Sequence, residues 1–438
     1  MDDFILVVLP GWLWLQELAS ATLMMRLKVR KRRRRKIAVS TGQLLSQKLH
    51  VFRKQHLLQY DYPMRSSAML WKPFFLSLIV CCGLQASAPA QDKKPQDADE
   101  VIRVDTELVD IPVVVTDKAG KALLNLKKKN FNVYEDGKLQ QVSDFAATSA
   151  PFEVALLLDT SGSTRSDIEL IRRSAQGFID SLRPGDRVSL IAFRSEAEVG
   201  RQVARPEILS GLTDNRAQLK SALDKVGTSN GTPYYDALLQ VTEKVFADAP
   251  AEQFRGRRAL VALTDAVDSS SSSDFDEAKE DLEKAGIICY FIKVDTRPFF
   301  EENLLGDCES AIRFSQSQIR RYYRRFASSS KIEKVSSFCQ LGDFERLAIS
   351  KNLYGLADTE MASLAKASGG RVFPVDELNQ ARVAFKSVAE EIGTKYSLGY
   401  YSSNEKRDGT YRKIRVELRE LPPGSLVRAR EGYTAPPH

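Results

Sequence analysis

The chain has 438 residues, of which 43% are hydrophobic and 28% charged, a composition that excludes a disordered or fibrous protein. Its length predicts two or three domains. The formal charge of +7 is unevenly distributed, because residues 1–63 carry +8, residues 64–90 carry +2 and the remaining residues carry −3. The part of the chain that can fold is therefore slightly acidic, which argues against a general nucleic-acid-binding protein.

The three histidines narrow the possible chemistry further. His50 and His56 lie near the start of the chain, and His438 is its last residue. The main body therefore has no internal imidazole for a Ser-His-Asp or Cys-His catalytic centre, or for a histidine-rich zinc site. A metal bound there should prefer oxygen ligands.

Residues 64–90 have the layout of a secretory signal peptide. Arg65 and Lys72 provide a positive start, residues 73–84 form an apolar stretch, and Ala88-Pro89-Ala90 matches an A-x-A cleavage site. The apolar stretch is short for a transmembrane helix, so membrane association is possible but not predicted. The pattern predicts cleavage after Ala90 and a secreted or periplasmic protein. Lipidation of Cys81 is an alternative, disfavoured by the bulky Val80 before it.

Residues 1–63 precede this signal and are interpreted as a doubtful N-terminal extension. An export signal loses its meaning inside a chain, so an upstream start codon chosen in error, with Met64 or Met69 as the true start, is the favoured explanation. The alternative is a membrane or nucleic-acid tether that uses the basic run at residues 31–36.

Two segments at opposite ends of the mature chain have β character. Residues 101–148 contain an alternating run at 108–115 and an Asp-Gly turn at 136–137. Residues 394–435 contain further strand patterns at 395–401 and 410–418. Because chain termini often lie close together, the two segments are expected to form one β-sandwich-like unit.

Between them, residues 152–393 alternate strand and helix patterns. The run at 153–158 is continuously apolar, which is typical of a strand buried on both faces. Further strands are predicted at 187–193, 258–264, 287–294 and 371–375, with helices at 167–182, 216–226, 233–246, 274–285 and 378–392. This order predicts an α/β fold with a doubly wound, mainly parallel sheet.

Residues 297–357 break the alternation and are interpreted as an insertion. Cys308 and Cys339 lie in it and could form a disulfide in an exported protein, whereas Cys289 lies in an apolar strand pattern and is expected to be a buried free thiol. The run Arg-Arg-Tyr-Tyr-Arg-Arg at 320–325 is interpreted as a solvated helix face with Tyr322 and Tyr323 packed inward. Binding of an anionic polymer is the alternative.

Oxygen-bearing side chains follow two of the predicted core strands and open one helix. Asp159, Ser161 and Ser163 follow the strand at 153–158, Thr232 lies at the start of a helix, and Asp265 ends the strand at 258–264. Ligands of open parallel sheets bind at the carboxyl ends of the strands. Hard oxygen donors from three loops suit Mg²⁺, with Mn²⁺ or Ca²⁺ as alternatives. Each serine taken alone would be interpreted as a helix cap.

The D-x-S-x-S string followed by a threonine and an aspartate resembles the metal-ion-dependent adhesion site of von Willebrand factor type A (VWA) domains. The resemblance covers about residues 152–392. It implies that the serines and the threonine contact the cation directly, that the aspartates often act through water, and that an Asp or Glu of a protein partner completes the octahedron. The implied ligands are Asp159, Ser161, Ser163, Thr232 and Asp265. Residues 130–137 and 396–401 resemble exported bacterial VWA-related proteins.

One position departs from the family pattern. The residue after the last aspartate is commonly Gly in the family and is Ala266 here, which would cost about 1 kcal/mol if the backbone there is left-handed. Asp268 is an alternative ligand on the same loop. The serines at 269–273 are expected to form a flexible loop that leads to a helix capped by Ser273 and shapes access to the site.

The sequence therefore predicts a non-enzymatic, exported protein that binds an acidic protein partner through a divalent cation, and no nucleic acid. A structural envelope component in which the metal only stabilises the fold is the alternative. A magnesium phosphatase of the haloacid dehalogenase type is a distant third, because Ser161 occupies the place of its general acid. No phosphate-binding G-x-x-x-x-G-K loop follows a predicted strand.

Overall fold

The computed structural model describes residues 108–162, 167–198, 200–326 and 337–437. The predictions for the extension at 1–63 and the signal peptide at 64–90 lie outside the described residues, as does the predicted ligand Ser163. Within the described ranges, no helix has both the length and the apolar character that a membrane span requires.

The strands belong to one central sheet and two smaller flanking sheets. In chain order they are β1 (Leu108–Thr116), β2 (Phe131–Glu135), β3 (Lys138–Gln140), β4 (Val142–Ala146), β5 (Glu153–Leu158), β6 (Arg187–Glu198), β7 (Arg201–Thr213), β8 (Arg258–Thr264), β9 (Ile288–Val294), β10 (Arg371–Val375), β11 (Tyr396–Tyr401), β12 (Tyr411–Leu418), β13 (Leu426–Ala429) and β14 (Gly432–Thr434).

The central sheet has the spatial order β10-β9-β8-β5-β6-β7. Its neighbouring strands pair in parallel, except for β6 and β7, which pair antiparallel. Every residue of β5 is buried, which accounts for its continuous apolar sequence. The predicted mainly parallel α/β sheet is confirmed.

Helices cover both faces of this sheet. In chain order the α-helices are α1 (Ile168–Ser181), α2 (Arg216–Leu223), α3 (Tyr234–Gln240), α4 (Phe275–Lys284), α5 (Arg297–Glu302), α6 (Gln316–Phe326), α7 (Asp343–Ser368) and α8 (Ala381–Ile392). One apolar cluster joins α1, α2 and α8 to the sheet, and a second joins α3, α4 and the C-terminal half of α7 to the opposite face.

Apolar spacing and a glycine position these helices. In α1, Ile171, Ala175 and Phe178 recur at helical spacing and are buried, and the Phe178 ring lies 5.3 Å from that of Phe385 in α8. Gly370 follows the C-terminal end of α7 in sequence, and a Cβ at this position would lie 2.0 Å from the carbonyl oxygen of Cys289. Only glycine therefore lets the end of this helix approach strand β9 so closely.

Strand β7 is absent from the sequence-based prediction. Its sequence is largely polar and does not alternate, and it contains Pro206, which an edge strand tolerates because one side of it forms no ladder. Its partner β6 is longer than predicted and extends to Glu198. The strand is thus held by antiparallel pairing with its sequence neighbour β6, and its own side-chain pattern does not indicate this pairing.

The predicted insertion at 297–357 contains α5, α6 and the first half of α7. It has an apolar cluster of its own, and Cys308 and Cys339 form a disulfide within it. Residue 357 lies in the middle of α7, so the insertion passes without interruption into a helix that covers the central sheet. Cys289 is buried and free, as predicted.

The flanking sheets have the orders β13-β1-β11-β4 and β14-β12-β2-β3 and share one apolar cluster. Their strands come from both ends of the described chain and pair antiparallel. This confirms the predicted β-sandwich-like unit from the N- and C-terminal segments.

Buried Arg257 holds both places where the chain passes between this unit and the α/β core. Its side chain donates hydrogen bonds to the carbonyl oxygens of Pro151 (3.0 Å), Ala150 (2.6 Å) and Lys395 (3.1 Å). Its guanidinium also lies 4.2 Å from the centre of the Phe152 ring. One planar group with several donors therefore satisfies carbonyls from two crossing segments that are far apart in sequence.

Arg257→Met should lower the free energy of unfolding by about 3 kcal/mol, because it leaves one buried and two partly buried carbonyl groups without donors. Arg257→Lys should recover only part of this loss, because one ammonium cannot match the guanidinium geometry. Urea denaturation measures both. The exposed Arg419→Met is the control, and a loss for Arg257→Met no larger than the control's would contradict this role.

Lys395 is another charged residue buried at this junction. Its Nζ donates to the carbonyl oxygen of Gly369 (2.8 Å) and lies 5.4 Å from the Tyr290 ring centre. Burial lowers the pKa of Lys395 to about 7, with Glu391 acting in the opposite direction. Between pH 7 and 10 the unfolded chain therefore binds more protons at this residue than the folded chain does.

The free energy of unfolding should consequently rise with pH from 7 to 9, by up to about 1 kcal/mol per pH unit. Lys395→Met should remove this part of the pH dependence, and the exposed Lys386→Met should retain it. Urea denaturation at each pH provides the measurement. Equal slopes for the unaltered protein and Lys395→Met would show that the ammonium pays no burial penalty.

Candidate metal centre

Asp159 lies directly after the central strand β5 and is almost fully buried. One carboxylate oxygen accepts a hydrogen bond from the backbone N–H of Ser161 (3.0 Å), and the other accepts one from the hydroxyl of Thr264 (2.7 Å). Thr264 ends the adjacent strand β8, so the carboxylate joins two neighbouring strand ends. Burial raises the pKa of Asp159, and the hydrogen bonds from Thr264 and Ser161 act against that rise.

The loop that carries Ser161 is hydrogen-bonded to strand β6 and to the segment before Thr232. The Thr160 hydroxyl donates to the carbonyl oxygen of Phe193 in β6 (3.0 Å), and the Thr160 carbonyl accepts from the N–H of Ser229 (2.8 Å). Ser161 is buried. These bonds bring the segment before Thr232 to the end of β5.

Thr232 is buried and precedes helix α3. Its N–H donates to the hydroxyl of Ser269 (2.8 Å), and its carbonyl accepts from the N–H of Ser269 (3.0 Å). The loop that opens α3 is therefore bonded in both directions to the loop after β8, which also contains Asp265.

Asp265 follows β8 and is also buried. Its carboxylate accepts hydrogen bonds from the N–H of Val267 (2.9 Å) and from the hydroxyl of Thr296, whose oxygen also bonds to the Tyr354 hydroxyl (2.9 Å). Burial raises the pKa of Asp265, and the negative charge of Asp159 adds to the rise.

Ala266, which stands where the VWA family commonly has glycine, has a left-handed backbone with φ of 57°. Its N–H donates to the Thr264 hydroxyl (2.8 Å), the same hydroxyl that donates to Asp159. The turn therefore keeps the conformation that glycine would favour, at a cost of about 1–2 kcal/mol for the Cβ. This cost is compatible with the turn because its hydrogen bonds hold it in place.

The carboxylate of Asp268, the alternative ligand, already has several hydrogen-bond partners. It accepts hydrogen bonds from the N–H of Tyr234 (3.0 Å) and from the side chain of Arg321 (2.9 Å), together with the Ser271 hydroxyl. A carboxylate with these partners, one of them cationic, has little capacity left for a cation, so the structure does not support the alternative.

The serines at 269–273 do not form the expected free loop. The Ser271 hydroxyl accepts from the N–H groups of Tyr235 (3.0 Å) and Asp236 (3.2 Å), and the N–H of Ser273 donates to the Asp236 carboxylate (3.0 Å). The helix cap is Asp274, not Ser273. Sequence alone could not reveal this, because the partners lie more than thirty residues apart along the chain.

These residues place two buried carboxylates and the side chains of Ser161 and Thr232 on loops that are bonded to one another. Within the described ranges, no group of three or more His, Cys, Asp or Glu residues comes together as a possible metal site. The available set is instead one of hydroxyls and two carboxylates, the hard oxygen donors that Mg²⁺, Mn²⁺ or Ca²⁺ accept. Because each buried carboxylate raises the cost of ionising the other, a cation between the loops would be stabilising.

Residues 154–268 match the sequence profile of the von Willebrand factor type A domain family. No protein of curated function matches the chain. Among solved structures, the conserved hypothetical protein BatB from Bacteroides thetaiotaomicron is 19% identical with a TM-score of 0.33, over 55% of this chain and 98% of its own.

Two further solved structures are similar. A von Willebrand factor type A protein from Catenulispora acidiphila is 11% identical with a TM-score of 0.36, over 75% of this chain and 74% of its own. Proximal thread matrix protein 1 from the mussel byssus is 14% identical with a TM-score of 0.35, over 66% of this chain and 51% of its own.

Proposed function

We propose that this chain, which contains a von Willebrand factor type A domain, is a non-catalytic binding protein that recognises an acidic protein partner through a divalent cation. The family is often involved in protein–protein interaction. The proposed ligands of the cation are Asp159, Ser161, Ser163, Thr232 and Asp265, and the proposed cation is Mg²⁺, with Mn²⁺ or Ca²⁺ as substitutes.

The proximity of two buried carboxylates at neighbouring strand ends carries this proposal. Asp159 and Asp265 are both buried, and the charge of the first raises the pKa of the second. Thr264, Val267 and Thr296 donate neutral hydrogen bonds to the pair, which offset only part of the desolvation. A divalent cation would stabilise both ionised carboxylates together.

The remaining proposed ligands explain why the partner should be acidic. Ser161 and Thr232 offer hydroxyl oxygens, which are neutral and leave much of the charge of a bound cation uncompensated. Mg²⁺ prefers six oxygens in an octahedron and keeps waters that an incoming ligand can replace. An Asp or Glu side chain from another protein supplies the missing negative oxygen.

A non-catalytic role is supported by the groups around the site. The described part of the chain contains no histidine. Ser161 stands two residues after Asp159, where a phosphatase of the haloacid dehalogenase type would need a carboxylic acid, and the Asp268 carboxylate is bonded to Arg321. Within the described residues, neither of these two positions therefore offers a free general acid.

Export of the protein is part of the same proposal. The signal pattern at 64–90, with cleavage after Ala90, predicts a secreted or periplasmic location. The disulfide between Cys308 and Cys339 supports it, because disulfides persist mainly in oxidising compartments.

Calorimetric titration of the purified protein with Mn²⁺ and Mg²⁺ tests the cation site. Thr232→Ser, which keeps the hydroxyl, should retain saturable binding, whereas Thr232→Val and Asp159→Asn should weaken it at least about tenfold. Asp276→Asn, at an exposed carboxylate on α4, is the control and should bind as the unaltered protein does.

The outcome that contradicts the proposal is a folded protein that takes up neither cation at millimolar concentration, or equal binding by Thr232→Ser and Thr232→Val. A different outcome supports the structural envelope role instead. In that case the cation raises the free energy of unfolding, by about 2.7 kcal/mol at a hundredfold excess over Kd. Capture of an acidic partner then survives chelation of the cation.

A further inference from the structure

A side chain from the insertion forms hydrogen bonds to the loop that carries Asp265. Arg321, on helix α6, donates through one terminal nitrogen to the Asp268 carboxylate (2.9 Å) and through the other to the Asp268 backbone carbonyl (3.1 Å). The Asp268 side chain has no exposed surface, and that of Arg321 is 22% exposed. This is a largely desolvated ion pair with two-point geometry, which fixes orientation as well as charge.

Asp268 uses its other oxygen to hold a second loop. That oxygen accepts hydrogen bonds from the N–H groups of Tyr234 (3.0 Å) and Tyr235 (3.4 Å). These N–H groups belong to the first turn of α3, two and three residues after Thr232. Asp268 therefore links the loop of one proposed ligand, Asp265, to the helix that begins beside another, Thr232.

Arg321 also packs on the helix that Asp268 holds. Its guanidinium lies 4.7 Å from the centre of the Tyr235 ring, and the Tyr235 hydroxyl donates to the Glu360 carboxylate on α7 (2.7 Å). One guanidinium thus compensates a buried carboxylate and covers an aromatic ring of the same helix turn. Without Arg321, Asp268 would be an uncompensated buried anion close to Asp159 and Asp265. The negative charges of the three carboxylates would then repel one another.

We propose that Arg321 is a positioning residue for the cation site. By holding Asp268, it keeps Thr232 and Asp265 at the separation that cation binding requires. The insertion contacts the site a second time through Tyr354, whose hydroxyl bonds to that of Thr296, the residue directly before the insertion, and Thr296 in turn donates to Asp265. The insertion therefore sets the cation affinity of the α/β core, an inference that rests on the proposed function.

Mn²⁺ affinity, measured by calorimetry, tests this role. Arg321→Met should weaken binding about 10–100-fold, the range typical of residues that orient metal ligands, and Arg321→Lys should be intermediate. Arg320→Met, one residue away on the exposed face of the same helix, is the matched control and should leave the affinity unchanged.

A double-mutant cycle separates positioning from a general loss of stability. If Arg321 acts through Asp268, Arg321→Met should cause little further weakening in an Asp268→Asn protein. Equal effects of Arg321→Met with and without Asp268→Asn would overturn the proposal. So would an unchanged Mn²⁺ affinity for Arg321→Met in a variant with a lowered melting temperature.

Backbone amide hydrogen exchange gives a readout that does not depend on the cation. In Arg321→Met the N–H groups of Tyr234 and Tyr235 should lose protection selectively, while those of the central strand β5 keep theirs. Absence of Mn²⁺ binding by the unaltered protein would refute the proposed function, and the exchange data would still decide whether Arg321 holds the two loops. Unchanged protection in Arg321→Met would overturn the positioning role by itself.

Discussion

The burial of strand β5 is the constraint on which the candidate site depends. β5 lies between β8 and β6, pairs in parallel with both, and has no exposed residue. A parallel arrangement ends neighbouring strands at the same edge of the sheet, so Asp159 must emerge beside Thr264 and Asp265. The hydrogen bond from the Thr264 hydroxyl to Asp159 makes that proximity specific. The positions of the proposed ligands therefore follow from the way the core packs.

The sequence predicted the features that depend on local pattern. Continuous apolar runs identified the buried strands, and polar residues immediately after them identified the loops at one edge of the sheet. Strand β7 was missed because an edge strand with polar residues lacks both apolar continuity and alternation. The link between Arg321 and Asp268 was missed because it spans 53 residues and has no local signature. Tertiary contacts alone reveal it.

Buried carboxylates with and without a cationic partner lie near this edge of the sheet. Asp268 has a cationic partner in Arg321, and the pair orients two loops. Asp159 and Asp265 receive neutral hydrogen bonds and raise the local cost of negative charge. The arrangement separates an internally compensated carboxylate, which supports the loops, from carboxylates that a divalent cation would complement. The same division favours Asp265 over Asp268 as a ligand of the proposed cation.

The most direct test of this account is a crystal structure of the protein grown with Mn²⁺, with the cation located by its anomalous scattering. The account predicts one strong peak bonded to the hydroxyl oxygens of Ser161, Ser163 and Thr232, with Asp159 and Asp265 in direct or water-mediated contact. A peak elsewhere, or an ordered site without a cation at saturating Mn²⁺, would contradict it.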